Sequence, residues 1–203
     1  MDNYAYIIAS LPALQVEDPK TWNLSARELI DEIREQLSAR DMAVLDLLLE
    51  GCDPDRLDAD FYTKALQHGN RFIRDWFRFD LDLRNTVVSY LNDSLGRPYE
   101  EDMVLLEGRE TEEFFELKDA QTVLNGADIL KRERGLDDLR WRKIDELTML
   151  HSLDLELLLG YVLKLKIIDR WLQLDPESGR ALFRKLVEDI RSTYDNKKQN
   201  LTI

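Results

Sequence analysis

The chain has 203 residues, of which 44% are apolar and 34% charged, and its 41 acidic against 28 basic side chains give a formal net charge of −13. That balance argues against a general nucleic-acid binder or a direct lipid binder, because both need a cationic surface. One cysteine excludes an internal disulfide, and 8 glycines with 5 prolines are too few for a turn-rich all-β fold.

Leucine is abundant and valine scarce, which favours helices over strands. The first residues lack the basic, apolar and small-residue succession of a secretory signal, so a reducing cytosol is the expected compartment. Asn3–Pro12 (NYAYIIASLP) is a short apolar run closed by a proline. It fits one strand or the first turns of a helix, and it is too apolar to hang free, so it should dock on the body. Gln15–Leu24 is a polar connection. Ser25-Ala26-Arg27-Glu28 fits a capping box, and Leu29, Ile33 and Leu37 then line a helix running to about Ala39. Asp41 can cap the next helix, with Val44, Leu45, Leu48 and Leu49 apolar, until Gly51-Cys52-Asp53-Pro54 ends it. Two helices joined this tightly suggest a helical hairpin.

Asp60 opens a long helical stretch containing Phe61, Leu66, Phe72, Ile73, Trp76 and Phe77, with Gly69-Asn70 a candidate break. Asp80 or Asp82 can cap a further helix, Leu83–Leu95, with Val87, Val88 and Leu91 inward, stopped by Gly96 and Pro98. Arg97–Leu117 is irregular and strongly acidic, and reads either as a solvated connection or as an acidic docking surface. Asp119–Arg134 reads as a helix stopped by Gly135, and Leu136–Leu150 as another, with Leu139, Ile144, Leu147 and Leu150 apolar. Leu153–Asp175 is then a buried central helix capped by Asp154 and stopped by Pro176. Leu157, Leu158, Tyr161, Leu165, Ile168 and Leu172 share one face, and around Leu155–Leu163 the helix is apolar nearly all round. Glu156, Lys164 and Lys166 interrupt it, so it is not a membrane span. Pro176–Tyr194 is a last helix and Asp195–Ile203 a polar tail. Phe79-Asp80-Leu81-Asp82-Leu83 echoes Leu153-Asp154-Leu155-Glu156-Leu157, either as a true repeat or as a chance likeness of two capped helices. The expectation is an all-α multi-helix bundle, a single domain 1–203 or two lobes, 1–96 and 119–194, joined by the acidic connection 97–118.

Chemistry is sparse. His68 and His151 belong to no His-x-x-x-His or Glu-x-x-His pair, so neither a zinc nor a di-metal helical site is expected. His151 reads as a turn residue beside a cap. Cys52 sits among Asp53 and Asp55, which disfavours the thiolate, so the thiol should be inert. No phosphate-cradling glycine loop and no EF-hand loop exists. The sequence therefore predicts no enzyme, no cofactor and no metal, with a hydrolase built from dispersed carboxylates as the weakest alternative.

Three stretches together carry a likeness: Tyr4–Pro12 (YAYIIASLP), Trp76–Asn85 (WFRFDLDLRN), and Tyr161–Trp171 (YVLKLKIIDRW) followed by Gly179–Phe183 (GRALF). Their order and wording resemble a bacterial family of unknown function encoded in V-type (A/V-type) ATPase operons. That family is itself similar to the C subunit of those rotary ATPases, known as the d subunit in the eukaryotic enzyme. The resemblance implies a helical body, like that C subunit, which couples the central shaft to the membrane ring. It also implies a protein that binds no nucleotide, lies peripheral to the membrane through protein partners, and has shaft subunits and the ring as those partners. A full-length C subunit carries more helical repeats than this chain has. The contact residues it suggests are Trp76, Phe79, Arg84 and Asn85 in one motif and Lys164, Lys166 and Arg170 in the other. Trp76 and Phe79 fit core positions better than an interface, and Lys164 can lay its stem along the apolar stripe. The alternative is a free-standing helical adaptor or regulator unrelated to rotary ATPases.

Overall fold

A computed structural model describes residues 4–14, 25–98, 102–109 and 113–173. The predicted connection 15–24, the helix expected over 176–194 and the tail after it lie outside the described residues. Eight α-helices follow in order: α1 (Tyr4–Ser10), α2 (Ala26–Glu35), α3 (Ala39–Glu50), α4 (Ala59–Leu66), α5 (Arg71–Leu95), α6 (Leu117–Leu124), α7 (Ile129–Thr148) and α8 (Leu155–Gln173). No strand occurs among the described residues, so the chain is an all-α multi-helix protein, as its composition predicts.

The Asn3–Pro12 run resolves as helix α1, which is docked: Ile7 is buried, and the Tyr4 hydroxyl donates to Asp41 at 2.6 Å. Seven residues do not make a stable helix in water, so burial of Ile7 is what holds it. Ser25 caps α2 as expected, accepting from the Glu28 N–H. Asp41 does not cap α3. Ser38 does, with its hydroxyl accepting from the Asp41 N–H at 3.2 Å and donating to the Asp41 carboxylate at 2.7 Å. Asp58, not Asp60, caps α4, and Asn70 caps α5 at the expected break.

The largest departure is α5. Instead of a new helix at Asp80 or Asp82, one 25-residue helix runs from Arg71 to Leu95. Nothing in that span is Gly or Pro, and both aspartates find partners away from the backbone. α5 packs against α4, α6 and α7, and buries Phe72, Ile73, Trp76, Phe77, Phe79, Leu81 and Leu83. Each such side chain is worth about 1.5–3 kcal/mol relative to exposure, an upper figure because unfolded chains are already partly compact. Leu91, expected inward, is 47% exposed. Gly96 ends the helix in the left-handed conformation at φ 63°, as its position predicts.

Phe61, Tyr62 and Phe77 meet edge to face, the Phe61 and Phe77 centroids 5.0 Å apart. A Cβ on Gly51 would lie 2.2 Å from the Phe77 ring, so only glycine lets the end of α3 approach this cluster. Gly135 is not a helix stop. It lies inside α7, where a Cβ would meet Val123 of α6 at 2.7 Å, and the actual break comes earlier, between α6 and α7. Gly160 similarly admits Thr148 and Ile144 of α7 against α8. Leu155, Leu158, Leu159, Val162, Leu163, Leu165 and Ile168 of α8 are buried, as expected of a buried helix, whereas Leu157, Tyr161 and Leu172 of the expected face are half-buried. α7 ends at Thr148, so Leu150, expected inward, is 89% exposed.

The chain divides into two compact units, one of residues 1–14 and 24–166, the other of 15–23 and 167–203. The division falls inside the α8 range, and within the first unit α5 packs on α6 and α7. Within the second unit, residues 167–173 are the end of α8, with Gln173 donating to Asp169 at 3.0 Å.

Candidate functional site

Three polar groupings stand on the first unit. The deepest is built on α5. Asp80 is 4% exposed; it accepts from the Tyr62 hydroxyl at 2.7 Å and from Arg84 Nε at 2.8 Å. Burial, and then the Asp80 charge, push the Tyr62 phenol well above its ordinary range. Cys52 lies within reach of the same charges. Burial pushes its thiol up to about 11, with Asp80 adding to the rise and Lys166 and Arg84 opposing it. The inert thiol is as expected, but burial is the cause rather than Asp53 and Asp55. Tyr62 and Asp80 are buried, and only Arg84 keeps part of its side chain in water. It fixes the register of α4 on α5.

The second grouping joins α5 to α8. Asn70 caps α5 through Oδ1, and its Nδ2 donates to Glu156 at 3.0 Å. Asp154 caps α8 by accepting from the Leu157 N–H at 3.1 Å, and His151 Nδ1 is 2.7 Å from its other oxygen. His151, Asp154 and Glu156 bring three potential metal-donor atoms within 4.8 Å of one another. The spacing His-x-x-Asp-x-Glu is visible in the sequence but matches none of the helical metal motifs sought there. Each of the three is already engaged by a cap, an amide or its neighbour, so the group has a structural task at the start of α8. His68 Nδ1 accepts the Asn70 N–H at 3.1 Å; burial, then Arg74 and Lys64, lower its pKa.

The third is a cleft of about 500 Å³ lined by α5, α7 and the segment before α6. Lys143 donates to Glu116 at 2.8 Å and to Glu146 at 3.1 Å; burial opposes its charge, but those hydrogen bonds outweigh it and raise its pKa. Arg71 pairs with Asp75 at 3.1 Å. Lys143 and Arg71 are thus ion-paired within the cleft, and among the described residues neither histidine is hydrogen-bonded to a hydroxyl or thiol.

The contact residues suggested by sequence are mostly occupied inside the protein. Trp76 and Phe79 are core residues, 5% and 3% exposed, and offer no surface to a partner. Arg84 is bound to Asp80. Asn85 clamps Val104, its amide donating to the Val104 carbonyl at 2.9 Å and accepting the Val104 N–H at 3.0 Å. Asn92 and Asp102 meet at 2.7 Å, and Arg109 holds Asp82 through both carboxylate oxygens. The described part of the acidic connection is thus fastened to α5. Lys164 pairs with Asp145 and lies 4.8 Å above the Trp141 ring; Lys166 is half-buried. Arg170 is exposed beside Trp171.

These features define a class: an all-helical protein whose buried polar groups lock helices together. The chain belongs to a family described as a protein of unknown function (DUF2764), whose model matches residues 1–54, 50–104 and 109–193. No curated protein and no solved structure matches the chain. No helix among the described residues is long and apolar enough to cross a membrane.

Proposed function

We propose that this protein is a non-catalytic structural component of a V-type rotary ATPase, resembling its C subunit and coupling the central shaft to the membrane ring. The observation that carries the reading is where the three likened stretches lie. The first packs as α1 and the Tyr161–Trp171 part of the third lies in α8, and they meet where the Tyr161 hydroxyl donates to the Pro12 carbonyl at 2.9 Å. The second is the buried centre of α5. Wording shared at such positions specifies a helical body rather than a reaction centre.

The protein would reach the membrane through its partners. Its acidic surface favours basic loops of the ring or a basic foot of the shaft, and opposes anionic lipid. The test is capture of the tagged chain from native membranes in mild detergent, followed by mass spectrometry. Shaft and ring subunits should co-purify. Their absence, with the chain recovered folded, would overturn the assignment. The second reading, a free-standing helical adaptor, is favoured by an apolar corner that calls for a partner without naming a rotary one.

A further inference from the structure

We propose that the corner where α7 turns into α8 is a docking surface for a cationic amphipathic helix of another protein, whether or not that protein belongs to a rotary ATPase. Met149 is 75% exposed, Leu150 89% and Leu153 56%, and Phe115, before α6, is 84% exposed. Phe115, Met149 and Leu150 line the same 500 Å³ cleft. Lone exposed hydrophobics are ordinary, but several large ones around one concavity mark an interaction surface.

The turn that displays them is hydrogen-bonded. The His151 N–H donates to the Thr148 carbonyl at 2.9 Å, His151 pairs with Asp154, and Asp154 caps α8. The turn carrying Met149 and Leu150 is therefore held before any partner arrives, which lowers the ordering cost of binding.

Charge selects the occupant. Six carboxylates but three cations, Arg71, Arg78 and Lys143, line the cleft; Arg109 offsets one carboxylate, at Asp82, leaving an acidic excess. A second copy would bring the same acidic cleft and another −13 against it, since a two-fold contact pairs like with like. An anionic bilayer is repelled in the same way. A basic partner is attracted, and its apolar side chains can seat between Phe115 and Leu150. No strand edge exists among the described residues for an extended peptide to pair with, so side chains of a helix in a groove are the fitting mode.

The experiment uses the full chain and two synthetic helical peptides with one apolar stripe, one lysine-faced and one glutamate-faced, read by fluorescence anisotropy. The lysine-faced peptide should bind and the glutamate-faced one should not. Met149→Ser/Leu150→Ser, which removes apolar surface without altering charge, should weaken binding about tenfold or more. Phe115→Ser gives the same comparison on a separate segment should the double variant misfold. No binding of the lysine-faced peptide by wild type, or equal binding by the serine variants, overturns the proposal. So does a wild-type dimer in sedimentation, or adhesion to phosphatidylserine vesicles, that the serine variants abolish, because the occupant is then a second copy or a membrane.

Discussion

Removing the Asp80 carboxylate should be among the most damaging single changes in this protein. Asp80→Ala deletes two hydrogen bonds at once, to Tyr62 at 2.7 Å and Arg84 at 2.8 Å. Breaking a buried ion pair by deleting one partner costs about 3–5 kcal/mol. Arg84 keeps 35% of its side chain in water and can re-solvate, so the lower part of that range applies, about 3–4 kcal/mol. For a chain of this size that lowers Tm by about 6–16 °C. Tyr62→Phe keeps the ring and loses one bond to a charged acceptor, about 1.5–3 kcal/mol. Urea unfolding at neutral pH, followed by circular dichroism, should give these values. The double variant should show a coupling of about 0.5–3 kcal/mol. A loss below about 0.5 kcal/mol for Asp80→Ala, or zero coupling, would refute the claim that this network holds α4 on α5.

Gly51→Ala forces a Cβ to within 2.2 Å of the Phe77 ring and should cost about 1–3 kcal/mol, whereas Gly69→Ala, with open space around it, should be nearly neutral; urea midpoints decide. Leu165→Ala empties a fully buried site on α8 and should cost about 2–5 kcal/mol in the same assay. Cys52 should react slowly with thiol reagents at pH 8. Because its pKa is raised to about 11 from an ordinary 9.0, its contribution to stability is complete below pH 9 and lost as pH rises toward 11, a loss that Cys52→Ala should remove. Calorimetry with ATP, Mg²⁺ or Zn²⁺ should show no binding; micromolar affinity abolished by His151→Ala would instead make the His151–Asp154–Glu156 group a working metal site.

Local signals were legible and distant ones were not. Ser25, Gly96 and Asp154 act as the sequence predicts because a cap depends on neighbours within a turn. Ser38 is readable by the same rule, since Ser38-x-x-Asp41 repeats the pattern of Ser25-x-x-Glu28. Asp80 is not. An aspartate before an apolar run resembles a cap, and only Tyr62, 18 residues away, and Arg84 reveal it as a mid-helix anchor. That difference also dissolves the echo between Phe79–Leu83 and Leu153–Leu157, where Asp154 is a true cap. Gly135 shows the same limit: the absence of a side chain signals a stop or a close approach, and Val123 on another helix decides which. Trp76 and Phe79 fit the core better than an interface by sequence, and the structure places both inside. Leu150 fits the inward periodicity of α7, and the end of the helix at Thr148 turns it out.

The bond from Tyr161 to Pro12 spans 149 residues and bears on how the protein is made. Closing so long a loop costs entropy that a single hydrogen bond does not offset, so the two ends can meet only once the intervening helices have packed. On the ribosome Pro12 is added roughly 7–30 s before Tyr161. During that interval Tyr4 can reach Asp41 of α3, but Ile8, Leu11 and Pro12 lack the Leu157, Leu158 and Tyr161 face beside which they lie, and seven residues do not hold a helix alone. The docking of α1 is therefore completed late in synthesis, and α1 is the piece that waits for α8.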